Sequence, residues 1–166
     1  MKNKISINPK VSLVEIILSV LIFAVAGAIM LKCFAAARFT QIKSNDKVAA
    51  GNILQSCIEM IKSFEDTDDM EEYLTDDFTL IKKDGNEHIY VNYYDKDWNI
   101  CGEKSEEYSV TLLISNILTD YGEMKEISIR AEKSKPYPFI SNGNEKSSYI
   151  YELETTKFFP EYESGW

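Results

Sequence analysis

Glu15 lies inside a long apolar run, and its position is the feature of this sequence that most needs a chemical explanation. The run extends from Val11 to Leu31, and Glu15 is its one charged residue. A carboxylate at membrane depth costs about 3 kcal/mol on insertion scales, so it is usually paired or close to the interface. Glu15 follows the start of the run by only about 6 Å of helix. Two interpretations are therefore open: Glu15 reaches the interface without a partner, or it meets a cation of another subunit.

A second polar grouping has part of the spacing of a calcium-binding EF-hand loop. Asp95, Asp97 and Asn99 alternate, and Glu106 occupies the twelfth position counted from Asp95. The sixth position is Ile100, although the sharp turn of such a loop requires Gly. We interpret the segment as a polar turn between strands, because Asp and Asn favour turns, and we predict no metal site.

The residues most often used in catalysis form no motif here. His88 is the single histidine and falls in a probable strand. Cys33, Cys57 and Cys101 are an odd number without CxxC or CxxH grouping, which argues against a disulfide framework or a zinc site. We predict that they are small buried apolar residues, that the protein is not an enzyme, and that it has no cofactor.

The two parts of the chain differ sharply in charge. Residues 1–64 carry eight Lys and Arg against three acids, a net +5, and residues 65–166 carry ten against twenty-four, a net −14. An acidic surface is repelled by phosphate backbones. We therefore expect no nucleic-acid binding by the acidic domain.

The apolar run is long enough to cross a membrane. As a helix, Val11–Leu31 spans about 31 Å, against ~30 Å for the hydrocarbon core. Lys2, Lys4 and Lys10 precede it, which favours a cytoplasmic N-terminus and an extracytoplasmic C-terminal domain. A cleaved secretory signal is the alternative, with small-residue sites at 24–26 and 35–37.

The remaining sequence predicts the elements around this segment. Apolar residues recur every three or four positions from Ile42 to Phe64, which indicates an amphipathic continuation of the helix. The acidic stretch "EDTDDMEEYLTDDF" is interpreted as a solvated loop with one helical turn. From Phe78 onward, alternating β-branched and aromatic residues predict strands, with an Asp-Gly hairpin after "FTLIKK".

These patterns predict an α+β fold, a long helix packed on a small antiparallel sheet. The predicted organisation has four parts. They are a basic cytoplasmic leader (1–10), a transmembrane helix (11–31), its amphipathic continuation (32–64), and an acidic extracytoplasmic β-sheet domain (65–166).

The segment "VSLVEIILSVLIFAVAG" resembles the N-terminus of type IV pilins and type II secretion pseudopilins. The family pattern of a small polar residue, Leu, Ile or Val, and Glu is matched by Ser12, Leu13, Val14 and Glu15. Lys10 stands where the family has Gly before the cleavage site, and Val11 where it usually has Phe. We therefore predict inefficient or absent cleavage between Lys10 and Val11 by a prepilin peptidase.

The resemblance implies a structural subunit that assembles with other pilin-like subunits in a membrane-anchored filament. Gln55 and Glu59 match positions near the helix end in minor pilins, and the helix-breaking proline of many major pilins is missing, which favours a minor pilin or pseudopilin. The resemblance also implies that Glu15 pairs with the N-terminal amine of a neighbouring subunit. If cleavage fails, Lys10 of a neighbour is the substitute cation.

Two other hypotheses remain open from the sequence. The chain could be a single-pass, signal-anchored surface domain that binds a ligand and does not polymerise. It could also be a secreted binding protein whose leader is removed.

Overall fold

The computed structural model of the chain describes residues 13–138 and 148–160. Two helices come first, and six strands and one 3₁₀ turn, Glu103–Ser105, follow. The helices are α1 (Leu13–Ser63) and α2 (Thr67–Asp77). The strands are β1 (Thr79–Asp84), β2 (Glu87–Tyr94), β3 (Ile100–Cys101), β4 (Tyr108–Thr119), β5 (Gly122–Lys133) and β6 (Ser148–Pro160). The predicted α+β fold, a long N-terminal helix packed on a small antiparallel sheet, is confirmed.

The chain divides into two units, Met1–Arg38 and Phe39–Trp166. In the described part of the first unit, residues 13–38 are entirely helical. No proline interrupts the helix, and its apolar side chains, such as Leu21 at 57% and Phe23 at 81%, are largely exposed. Helix formation in this unit therefore leaves a large apolar surface without a protein partner in the described chain.

In the second unit, the last part of α1 buries one narrow stripe against the sheet. The buried apolar residues of this stripe are Ala50, Leu54, Ile58 and Ile61, spaced by three or four positions. The predicted amphipathic continuation of the helix is present. Ile53, Cys57 and Phe64 are partly buried beside this stripe and pack against the same core, whereas Met60 is 47% exposed.

The acidic stretch after α1 is helical, so its interpretation as a solvated loop with one turn was wrong. α2 has 11 residues, and the side chain of its N-cap, Asp66, accepts a hydrogen bond from the backbone N–H of Asp68 at 3.0 Å. Met70 and Leu74 are fully buried in the common core. Two apolar residues four positions apart, together with acids in the first turn, are enough to hold this short helix.

The sheet is antiparallel, with the strand order β1-β2-β4-β5-β6, and the short β3 pairs with β2. The predicted hairpin between β1 and β2 is confirmed, with a turn at Gly85, whose φ of 56° suits glycine. β4 and β5 extend through the stretch "SNILTDYGEM", and Asp120 and Tyr121 form the turn between them.

The two sides of the sheet have different environments. The side that faces the helices, called the helix side, holds the alternate residues Val110, Leu112 and Ile114 of β4, all buried. The opposite side, called the open side, holds Leu113 and the polar residues of β4 and β5, which are partly exposed. The predicted loop at 135–147 lies partly outside the described residues, which end at Pro138 and resume at Ser148.

Candidate functional site

Glu15 occupies the first turn of α1 as described, in the middle of exposed apolar residues. The hydroxyl of Ser19 donates to the backbone carbonyl of Glu15 at 2.8 Å, so this serine satisfies its own polar group within the helix. Lys10 and Val11, the predicted processing residues, lie outside the described residues.

The segment that carries Glu15 has the physical properties of a membrane anchor. α1 is long and apolar enough to cross a membrane, and none of its most apolar 18-residue window is buried by the described chain. Cys33, expected to be buried, is exposed in this segment, and the described cysteines are all free thiols. A helix that is apolar on all sides needs either lipid or other helices around it.

Gln55 and Glu59 lie on the exposed side of α1, within the second unit. The amide Nε2 of Gln55 donates to Oε1 of Glu59 at 2.8 Å, as residues four positions apart in a helix can. This pair is therefore available at the surface, as it must be if it contacts another subunit.

Asp46 is the principal buried anchor between α1 and the sheet, and the sequence interpretation missed it. Its Oδ2 accepts a hydrogen bond from the hydroxyl of Tyr137 at 2.7 Å and lies 3.6 Å from Nζ of Lys133. Nζ of Lys133 also donates to Oε1 of Glu107 at 2.7 Å and to the hydroxyl of Tyr108 at 2.8 Å. Burial, and next Asp46, raise the pKa of Tyr137 far above its usual value. The spacing of the sequence could have indicated that Asp46 is buried, because it lies four positions before Ala50 on the buried stripe.

Lys157 of β6 holds the other end of the stripe. Its Nζ donates to the backbone carbonyls of Ile61 at 3.2 Å and Lys62 at 2.7 Å, and to that of Phe64. The last carbonyls of a helix have no partner within the helix, so a lysine there satisfies them and complements the helix dipole. The two anchors fix where α1 lies on the sheet.

A third buried group lies beneath α2. Lys125 is 1% exposed, and its Nζ contacts Oδ1 of Asn116 at 3.1 Å, Oε1 of Glu123 at 3.2 Å and Oε1 of Glu71 at 3.7 Å. His88 is buried on the helix side of the sheet, where burial, followed by the charge of Lys83, lowers its pKa. The contacts of Lys125 join α2 to the sheet. His88 is a buried residue of the same side of the sheet.

The EF-hand-like segment is a turn. Oδ1 of Asp95 accepts hydrogen bonds from the backbone N–H groups of Asp97 at 2.9 Å and Asn99 at 3.0 Å. The carboxylate of Asp95 is therefore engaged in holding the turn, as the polar-turn interpretation predicted. Glu106 accepts from the hydroxyl of Ser134 at 3.2 Å, and its Oε2 has no hydrogen-bond partner among the described residues.

Two shallow cavities lie side by side on the open side of the sheet. Their volumes are about 550 and 340 Å³, and Leu113 and Ser128 line both. Arg130 makes a two-pronged contact with Glu152 at their edge, with nitrogen–oxygen distances of 3.0 and 3.2 Å from Nη2. Hydroxyl and carboxylate groups surround this surface, so it suits a polar ligand better than an apolar one.

The fold and these features together define a membrane-anchorable helix joined to an acidic α+β domain. No protein-family model, curated protein or solved structure matches the chain.

Proposed function

We propose that this chain is a minor pilin or pseudopilin, a structural subunit that enters or primes a type IV pilus or a type II secretion-like filament. In this proposal α1 is both the membrane anchor and the assembly element. The N-terminus is cytoplasmic, and the domain formed by residues 65–166 is extracytoplasmic. A prepilin peptidase is a further partner, acting poorly at Lys10.

One observation carries the proposal. α1 begins with an apolar, exposed segment that contains a single carboxylate, Glu15, and it ends with a stripe packed on an antiparallel sheet. A simple anchor needs only apolar residues, and a carboxylate weakens it. A subunit that packs against neighbours inside the membrane instead gains from a group that fixes the register between helices.

We assign to Glu15 the role of fixing the register between neighbouring helices. A carboxylate in a low dielectric medium is stabilised when it accepts a charge-assisted hydrogen bond from a cation. The cation is the N-terminal amine of a neighbour if the leader is removed, or the ammonium group of Lys10 of a neighbour if it is not.

The test is Glu15→Gln in the full chain, which keeps the shape of the side chain and removes its charge. We expect the variant to insert into membranes and to keep its folded domain, but to lose co-purification with other pilin-like subunits. Glu72→Gln is the matched control, because Glu72 is an exposed carboxylate on α2 to which we assign no contact with another subunit. Unchanged association of Glu15→Gln would refute the assembly role.

The second candidate is a signal-anchored surface domain that binds a ligand and does not polymerise. The paired cavities on the open side of the sheet favour it, because they offer a binding surface that assembly through α1 leaves unexplained. Chemical crosslinking in intact membranes separates the candidates, since only a filament subunit forms ladders of crosslinked copies that depend on Glu15.

A further inference from the structure

Among the described residues, β6 forms one edge of the sheet, and β1 and the two-residue β3 form the other. β1 pairs only with β2, and β6 pairs only with β5. An outer strand presents a row of N–H and C=O groups that can pair with another chain. The two edges differ in length and sequence, so contact between them joins unlike surfaces.

A groove of about 600 Å³ follows the outer edge of β6. Its helical wall is a stripe of α1 side chains that recurs every three or four residues over about 27 Å of helix. The stripe consists of Ser44, Val48, Gly51, Gln55, Ile58 and Lys62, and Lys47 and Asn52 complete the helical wall. The opposite wall includes Leu153 from the helix side of β6 and Glu154 from the open side. Because side chains from both sides of the strand line the groove, it runs along the strand's edge.

β1 has the properties of a strand that could enter such a groove. All six of its residues are exposed, including Leu80 at 44% and Ile81 at 58%. Leu80 is aligned with Tyr90 on the helix side of the sheet, and Lys82 with Ile89 on the open side. β1 therefore offers an apolar side chain toward one side and a cation toward the other.

We propose that β1 of one copy of this chain pairs with the outer edge of β6 of a second copy, within the groove. Leu80 then lies on the helix side with Leu153, and Lys82 lies on the open side with Glu154. Glu154 has no ion-pair partner among the described residues, and Lys82 has only the exposed Asp84, at 2.9 Å. Backbone hydrogen bonds between the two strands stabilise the contact. The two side-chain pairs fix which residues of β1 lie opposite which residues of β6.

The proposed pairing of β1 with β6 rests on the proposed filament function, and it identifies an interface between subunits of that filament. A contact between two different edges of the same molecule leaves one β1 and one β6 free at the ends of the assembly. Such a contact is open-ended, as a filament requires, and not a closed dimer.

A charge exchange in the full chain tests the interface. The variants are Lys82→Glu, Glu154→Lys and both together, and the measurement is co-purification of tagged and untagged copies in detergent. Carbodiimide coupling between isotopically labelled and unlabelled wild-type copies locates the contact, and we expect isotopically mixed crosslinks between residues 82 and 154. Co-purification should fall about fivefold in each single variant, where like charges meet, and return in the double variant. Lys96→Glu and Glu103→Lys, at exposed positions outside β1, β6 and the groove, should leave co-purification unchanged.

The outcomes separate this interface from the assembly role of Glu15. Association that depends on Glu15, with no mixed crosslink between residues 82 and 154, refutes the edge pairing and leaves the filament proposal intact. Mixed crosslinks that persist in Glu15→Gln support the edge pairing and count against the role of Glu15. Copies of this chain that never associate refute the edge pairing, and the assembly role of Glu15 is then decided by co-purification with other pilin-like subunits.

Discussion

Tyr137→Phe is the sharpest test of how α1 is held on the sheet. Tyr137 is 2% exposed, and its hydroxyl donates at 2.7 Å to Oδ2 of Asp46. A hydrogen bond to a buried charge contributes about 1.5–3 kcal/mol. Because Asp46 keeps Lys133 at 3.6 Å, we expect the variant to lose about 2 kcal/mol of unfolding free energy. That is a large share of the total stability of a domain of this size.

The assay is urea and thermal unfolding of the full chain in detergent, followed by tryptophan fluorescence. Trp98 is a suitable reporter, because its ring stacks on that of Tyr108 with centroids 4.1 Å apart, next to the Asp46 cluster. We expect the midpoint temperature to fall by about 5–10 °C. Tyr149→Phe is the control, since Tyr149 is 53% exposed. Equal unfolding free energies for the two variants would contradict the assigned role of the hydroxyl.

The Tyr137 hydroxyl also leads to a prediction about how stability depends on pH. Burial and Asp46 hold the pKa of Tyr137 above that of an unfolded tyrosine, so the folded state keeps the phenol neutral. Its contribution is complete below pH of about 10 and is lost as the pH rises above that value, where the unfolded chain releases the proton. Stability measured above pH 10 should therefore fall more steeply in the wild type than in Tyr137→Phe. Parallel pH profiles of the two proteins would refute this.

Three further predictions concern other parts of the fold. Burial, followed by Asp77, raises the pKa of Cys57 to about 11, so alkylation of Cys57 at pH 8 should be roughly 100-fold slower than in urea, as peptide mapping can measure. Lys157→Met should lower the unfolding free energy by about 1–3 kcal/mol, while Lys96→Met should not, because Lys157, unlike Lys96, donates to the backbone carbonyls at the end of α1. A fragment that starts at residue 39 should melt cooperatively, and one that starts at residue 65 should not, because the second lacks the buried stripe of α1.

The sequence predicted the features that depend on local pattern. Periodicity identified α1 and the run of strands that follows it, and the Asp-Gly pair identified the first hairpin. It failed for α2, because eight acids in residues 65–77 suggested a solvated loop. Only tertiary burial of Met70 and Leu74 makes a helix of that segment stable.

The long-range polar contacts could not be predicted from the sequence. Asp46 and Tyr137 are 91 positions apart, and Lys157 reaches carbonyls 93 to 96 positions before it. Local patterns carry no information on such pairs, because the sheet register decides which residues meet. Glu15 is different, because its unusual position is evident from the sequence alone, and its partner in the proposed function belongs to another subunit.

The two anchors of α1 also bear on how the second unit would resist force. Asp46 holds one end of the buried stripe and Lys157 holds the other, near Ile61, with the apolar contacts of Ala50, Leu54 and Ile58 between them. A pull along the axis of α1 loads all of these contacts in shear at the same time, whereas a pull across the axis would peel them apart in sequence. In the proposed function, the membrane anchor would pass a load to this unit through α1. The rate at which it unfolds under load is then set by the simultaneous rupture of both anchors.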